Sequence, residues 1–101
     1  MRVRADIEVP TEELAELCGR FGVARLDVFG SSARGDFRAD SDVDLLVEFQ
    51  TGQRVGLIHL SSLQLELEAL FGVRVDLVPR GGLKPVIREH VLGEARELFA
   101  A

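Results

Sequence analysis

The amino-acid sequence predicts an α/β domain of the α+β type, a small mixed β-sheet of three or four strands with helices packed on it. Two observations carry that expectation. Three segments repeat apolar residues at helical spacing and three shorter ones have strand character, in the order helix, strand, strand, helix, strand, helix. The 101 residues show no internal repeat, linker or shift in composition, so residues 1–101 are expected to form one domain.

The first helix starts at Thr11, a residue suited to N-capping, with Glu12 and Glu13 in the first turn where carboxylates interact favourably with the helix dipole. Leu14, Leu17, Cys18 and Phe21 fall on one face, and Gly22 ends the helix. Residues 24–29, ARLDVF, alternate as a half-buried strand and stop at Gly30. A second strand, DVDLLVEF, begins at Asp42; its run Leu45, Leu46, Val47 implies burial on both faces and a central place in the sheet. The longest helix covers residues 55–72, with Leu57, Leu60, Leu63, Leu67, Leu70 and Phe71 on one face and Gly72 closing it. VRVDLV, residues 73–78, is a third strand, ended by Pro79 and the Gly81–Gly82 pair. From Leu83 a last helix is expected to run to the C-terminus, with Pro85 in its first turn.

The formal net charge of −5 argues against binding long nucleic acid, which needs clustered Lys and Arg to displace counterions from phosphates. A small anionic ligand that brings its own cation remains compatible with it. The single cysteine, Cys18, lies on the apolar side of the first helix and cannot form an intrachain disulfide, so it reads as a small buried hydrophobe in a reducing compartment. No segment approaches the ~20 apolar residues of a membrane span, and no signal-peptide run opens the chain, so a cytoplasmic location without membrane attachment is expected.

The chemistry concentrates in three aspartates and one turn. Asp42 and Asp44 stand two residues apart on one strand and therefore on one face of the sheet. Asp76 interrupts an otherwise apolar strand, where a carboxylate is costly to bury unless it is paired or binds a cation. If the two strands are neighbours, three carboxylates converge, and their mutual repulsion calls for hard cations such as Mg²⁺, which bind carboxylates, water and phosphates. The turn after the first strand offers the phosphate seat. Gly30 permits close backbone approach, Ser31 and Ser32 carry hydroxyls, and the following residues can open a short helix. Arg34 either adds positive charge to that seat or pairs with Asp36 or Asp40.

The pattern Gly30-Ser31, ten residues, Asp42-x-Asp44 and a later strand aspartate, Asp76, resembles the nucleotidyltransferase superfamily related to DNA polymerase beta. The string GSSARGDFRADSDVDLLVEF, the RVDLV strand and the ending LKPVIREHVLGEARELF are similar to the minimal nucleotidyltransferases of bacteria and archaea, which pair with a helical HEPN-domain partner. The resemblance covers the chain from about Ala24 onward. It implies a polymerase beta-like fold in which Asp42, Asp44 and Asp76 hold two Mg²⁺ ions, while Gly30, Ser31 and, at a variable position of the motif, Ser32 contact the triphosphate of ATP. It further implies a protein adenylyltransferase that moves AMP to a tyrosine of a HEPN toxin and acts as its antitoxin. A non-catalytic antitoxin that neutralises by binding alone, or an aminoglycoside-type nucleotidyltransferase, are the alternatives.

Blander readings of the same residues are a solvated strand start for Asp42 and Asp44 and a plain connector for the glycine-serine turn. A calcium loop starting at Asp40 fails, because its sixth position is Leu45 rather than Gly and its twelfth is Thr51 rather than Glu. His59 and His90 lack a second ligand at zinc spacing and are expected to pack or face solvent. On the 55–72 helix, Ile58, Leu65 and Ala69 form a second apolar stripe. It either broadens the core face or packs against another chain, a second copy or the HEPN partner.

Overall fold

The structure, a computed structural model, describes residues 1–101. The elements are β1 (Arg2–Arg4), β2 (Ile7–Glu8), α1 (Thr11–Phe21), β3 (Val23–Phe29), α2 (Ser31–Arg34), β4 (Val43–Phe49), α3 (Leu57–Phe71), β5 (Val75–Pro79), α4 (Pro85–Glu94) and β6 (Arg96–Ala100), with a 3₁₀ turn at Arg80–Gly82. The main sheet has four strands in the order β5-β4-β3-β6; β1 and β2 form a separate hairpin. β3 runs antiparallel to β4 and β6, whereas β4 and β5 are parallel and joined by α3, so the sheet is mixed, as expected.

The two faces of β4 divide the core. Val43, Leu45 and Val47 point into the larger cluster with Leu14, Leu17 and Cys18 of α1 and Leu63, Leu67 and Phe71 of α3. Leu46 points the other way, onto Leu83 and Val91 beside α4. Each of these fully covered side chains contributes about 1.5–3 kcal/mol relative to exposure. β3 is equally interior: Leu26, Asp27 and Val28 are all buried, so it is covered on both faces and not half-buried as its alternation suggested. Burial pushes the Cys18 thiol up to about 12, in keeping with its role as a small core hydrophobe.

Several sequence expectations are corrected. Pro10, not Thr11, occupies the cap position of α1, and no side chain caps the helix. Leu57 is 80% exposed and lies off the core face of α3. The helix expected to reach the C-terminus stops at Glu94, and residues 96–100 pair with β3 instead. Leu98 enters the main core, the Arg96 guanidinium donates to the Arg2 and Val3 carbonyls, and the open edge of β3 is thereby closed. Those tertiary gains outweigh the helix propensity of a short segment. The β1–β2 hairpin had no sequence signal, since three-residue and two-residue strands are too short for periodicity to register.

His59 has the packing role expected of it: its Nε2–H donates to the Phe21 carbonyl at 2.7 Å, and its ring lies between Phe21 and Phe49. The Ile58–Leu65–Ala69 stripe stays uncovered, with Ile58 and Leu65 at 84% and 66% exposure. No helix is long and apolar enough to cross a membrane.

Candidate active site

β3 delivers the chain to Gly30, whose φ of 69° and ψ of −152° lie in a region open essentially to glycine. The neighbouring strand explains the need. Phe29 pairs with Asp44, and a Cβ on Gly30 would collide with Asp44 Oδ2. The missing side chain is therefore what lets the turn and the carboxylate share one corner.

Across the parallel pair, Asp44 stands in register with Asp76. Partners in register present their side chains to the same face, here the face carrying Leu46, with Asp42 one pleat further along. Asp76 is exposed, contrary to the buried position its apolar neighbours implied. β5 is an edge strand, and its Asp76 lies beyond the part of the face that Leu83 and Val91 cover. Asp42 lies just before β4 and is exposed, with the Arg74 guanidinium 3.8 Å away. Asp44 is half-buried, and its carboxyl is held above the usual carboxylate range by burial first, then by the charges of Asp76 and Asp42; Arg34 opposes the shift and Glu94 adds to it.

The carboxylates share a face and an electrostatic field, but no three His, Cys, Asp or Glu side chains close onto one point as a preformed cage. The convergence expected from the sequence is thus looser, as like charges without a cation between them require. The donor set fits Mg²⁺ nonetheless. These are hard oxygen ligands on an open face, with room for the water and phosphate oxygens that Mg²⁺ retains.

After Gly30, the single turn of α2 places Ser31 half-buried at its start, while Ser32 turns inward. The Ser32 hydroxyl is sealed from solvent and has no hydrogen-bond partner, so as it stands it presents nothing to a ligand. Arg34 takes the pairing role with Asp36 that was one of the two expected of it, and adds a second carboxylate. It reaches Asp36 through Nε at 3.3 Å and also turns Nη1 onto Glu94, at 3.2 Å from Oε1 and 3.1 Å from Oε2. Glu94 Oε1 further accepts the Gly30 N–H at 3.0 Å.

Two residues of the site escaped the sequence reading. Glu94 is one, separated from Gly30 by most of the chain. Arg4, on the unforeseen hairpin, is the other. Its side chain is fully buried, paired with Asp6 through Nε at 2.7 Å and Nη2 at 3.0 Å. It donates to the Ser41 carbonyl at 2.9 Å and the Ala39 carbonyl at 3.4 Å, and it lies 4.5 Å from the Phe37 ring centroid. The segment between the glycine turn and Asp42 is therefore held by a guanidinium from another part of the fold. An arginine in a short polar N-terminal run offers no sequence signal for such a contact.

A family model described as nucleotidyltransferase domain matches residues 12–98. The protein adenylyltransferase MntA of Thermococcus cleftensis is 46% identical over 84 residues, 83% of either chain. A solved minimal nucleotidyltransferase is 51% identical, covers 85% of this chain and 86% of its own, and superposes with a TM-score of 0.71. An MNT antitoxin solved with the tri-AMPylated HEPN toxin of Shewanella oneidensis shares the fold at 18% identity, with a TM-score of 0.64 over 90% of this chain and 70% of its own.

Two outcomes follow from this geometry. Gly30→Ala lowers stability by about 1–3 kcal/mol, read from the urea midpoint, and combining it with Asp44→Ala recovers part of that loss because the collision partner is gone. Ionised Asp44 destabilises the metal-free fold, fully so above its raised folded value, and the penalty disappears as pH falls below the ordinary 3.8. Asp44→Asn therefore melts higher than the wild type at pH 7 in the presence of a chelator, and the gap closes in acid.

Proposed function

The chain belongs to the nucleotidyltransferase domain family and, within it, to the minimal nucleotidyltransferases, and from that premise we propose that it is a Mg²⁺-dependent protein adenylyltransferase. It moves AMP from ATP to a tyrosine hydroxyl of a HEPN-domain toxin and so acts as an antitoxin. The observation that carries the reading is the shared corner of Gly30 and Asp44, with Asp76 in register beside them. A turn suited to seating phosphates is thus fused to carboxylates suited to holding the cations that neutralise them.

In this reading Asp42, Asp44 and Asp76 would hold two Mg²⁺ ions, which would neutralise the triphosphate and lower the pKa of the acceptor hydroxyl. The Gly30 N–H and the Ser31 hydroxyl donate to phosphate oxygens, and Arg34 adds positive charge. Ser32, buried and without a hydrogen-bond partner for its hydroxyl, would have to turn outward to contact the triphosphate. The tyrosine oxygen forms a bond to the α-phosphorus in line with the bond that breaks to the β-phosphate, and pyrophosphate leaves. The hydroxyl proton passes to solvent once a metal has lowered its pKa or, in the alternative, to Asp76 as general base, a role that its exposure at the edge of the face supports. Positioning and charge neutralisation supply most of the rate gain, with little covalent work for the side chains.

The uncovered α3 face is the proposed dock for the toxin or a second copy, since Leu57, Ile58 and Leu65 are too exposed to serve the domain's own core. Inhibition by binding alone remains the rival mechanism, and mass spectrometry of the co-purified toxin decides between them. A +AMP adduct is expected with the wild type, and Asp42→Asn or Asp44→Asn should reduce it by about 10²-fold or more with the fold intact. Near-normal transfer by either variant, or toxin neutralised with no adduct, defeats the enzymatic reading. Leu65→Glu should weaken complex formation in light scattering without lowering the monomer's melting temperature; undiminished assembly rules out the α3 dock.

A further inference from the structure

Glu94 ends α4, 64 positions from Gly30, yet the fold brings its carboxylate into the glycine turn. Oε1 takes the Gly30 N–H, and Arg34 Nη1 spans both oxygens. The Glu94 side chain is only 15% exposed, so the contact is partly shielded from solvent. A backbone amide and a guanidinium aimed at one point form a donor set for an oxyanion, and a carboxylate edge has much the shape and charge of a phosphate edge.

We infer that Glu94 is an internal occupant of the phosphate seat, so that a nucleotide gains the Gly30 amide and the Arg34 guanidinium only by displacing this carboxylate. The inference rests on the nucleotide reading above and adds a residue that sets affinity within it. Displacement needs no refolding. The helix already ends at Glu94, where Ala95 turns to an extended conformation, and the His90 ring nitrogen stands 3.6 Å from Glu94 Oε2 on the preceding turn. A change of side-chain rotamer toward His90 and solvent frees both donors at once. Gly30 and Arg34 then exchange one anion for another and are never left unpaired. A ligand offering a single weak phosphate contact gains little from such an exchange, whereas a triphosphate with its Mg²⁺ adds contacts to the aspartates that Glu94 cannot make. Glu94 thus sets a displacement cost common to every anion of the seat, which the metal-bound triphosphate offsets with its further contacts.

The opposite reading makes Glu94 a strut that holds the empty turn in its binding shape. The two differ in sign. Calorimetric titration of Mg²⁺ and α,β-methylene-ATP into the full chain distinguishes them, using the wild type, Glu94→Gln and Glu94→Ala. Removing the competitor should tighten binding by about three- to tenfold in Glu94→Gln, and further in Glu94→Ala, since the glutamine oxygen still accepts from Gly30. The same variants should bind inorganic pyrophosphate more tightly by a similar factor, since the displacement cost is common to both ligands. Unchanged or weaker binding of the analogue by Glu94→Gln, with the wild type binding normally, overturns the inference and leaves the nucleotide reading standing. No binding by any of the three proteins overturns the nucleotide reading and the inference together. Glu94→Gln preserves size and decides the matter should the alanine variant fail to fold.

Discussion

The site depends on one close approach, that of the Gly30 backbone to the Asp44 carboxylate. β3 and β4 are adjacent antiparallel strands, so a turn at the end of β3 inevitably sits beside the start of β4. Any side chain at the turn would push the carboxylate away from that corner. Glycine removes the obstacle and at the same time supplies the positive φ that bends the chain into α2. One residue choice thereby joins the proposed anion seat to the proposed cation site, and the sheet register then adds Asp76 from β5 on the far side of Asp44.

That corner is rigid because its supports are buried, while the groups that face a ligand are not. β4 is sealed on both faces by Leu45, Leu46 and Val47. Asp27, buried on β3, is held by Arg25 Nε at 3.0 and 3.1 Å, and Arg80 approaches it to 3.6 Å, which ties the turn after β5 back to β3. Arg4 performs the same service for residues 37–41 from the opposite end of the chain. Guanidiniums suit this purpose, and the buried one of Arg4 most of all, since one planar group satisfies two carbonyls and a carboxylate together. A small domain cannot immobilise an exposed loop by apolar packing alone, so polar clamps carry that load.

The sequence made the site's vocabulary readable and left its grammar hidden. Period-two spacing placed Asp42 and Asp44 on one face, the apolar run of β4 identified it as interior, and the glycine-serine turn announced an anion seat. Neighbouring strands for Asp44 and Asp76 were a condition of that reading, and the parallel β4–β5 pairing meets it. Exposure was misread at Asp76 because apolar flanks mark a strand without telling whether it is an edge. Glu94 and Arg4 were invisible for a different reason: each acts through a contact spanning more than thirty positions, and no local pattern encodes the end point of such a contact. The C-terminal strand was lost to the same cause, since residues 96–100 are read locally as helix and are overruled by the unpaired edge of β3.

The charge arrangement shows how function opposes stability at this corner. Asp42, Asp44, Asp76 and Glu94 bring four carboxylates to one neighbourhood, against Arg34 and the largely exposed Arg74. A fold optimised for its own stability would have replaced some of them, because burial and repulsion already hold one carboxyl above its ordinary range. Their retention makes sense if the missing positive charge arrives with the substrate. On that view the uncompensated carboxylates and the anion seat filled by Glu94 are two halves of one device: the cation surplus at Gly30 and Arg34 is answered from within the chain, and the anion surplus at the aspartates is left for a metal. A metal-bound polyphosphate is the ligand that satisfies both halves simultaneously, with its cations among the aspartates and its oxygens where Glu94 had been.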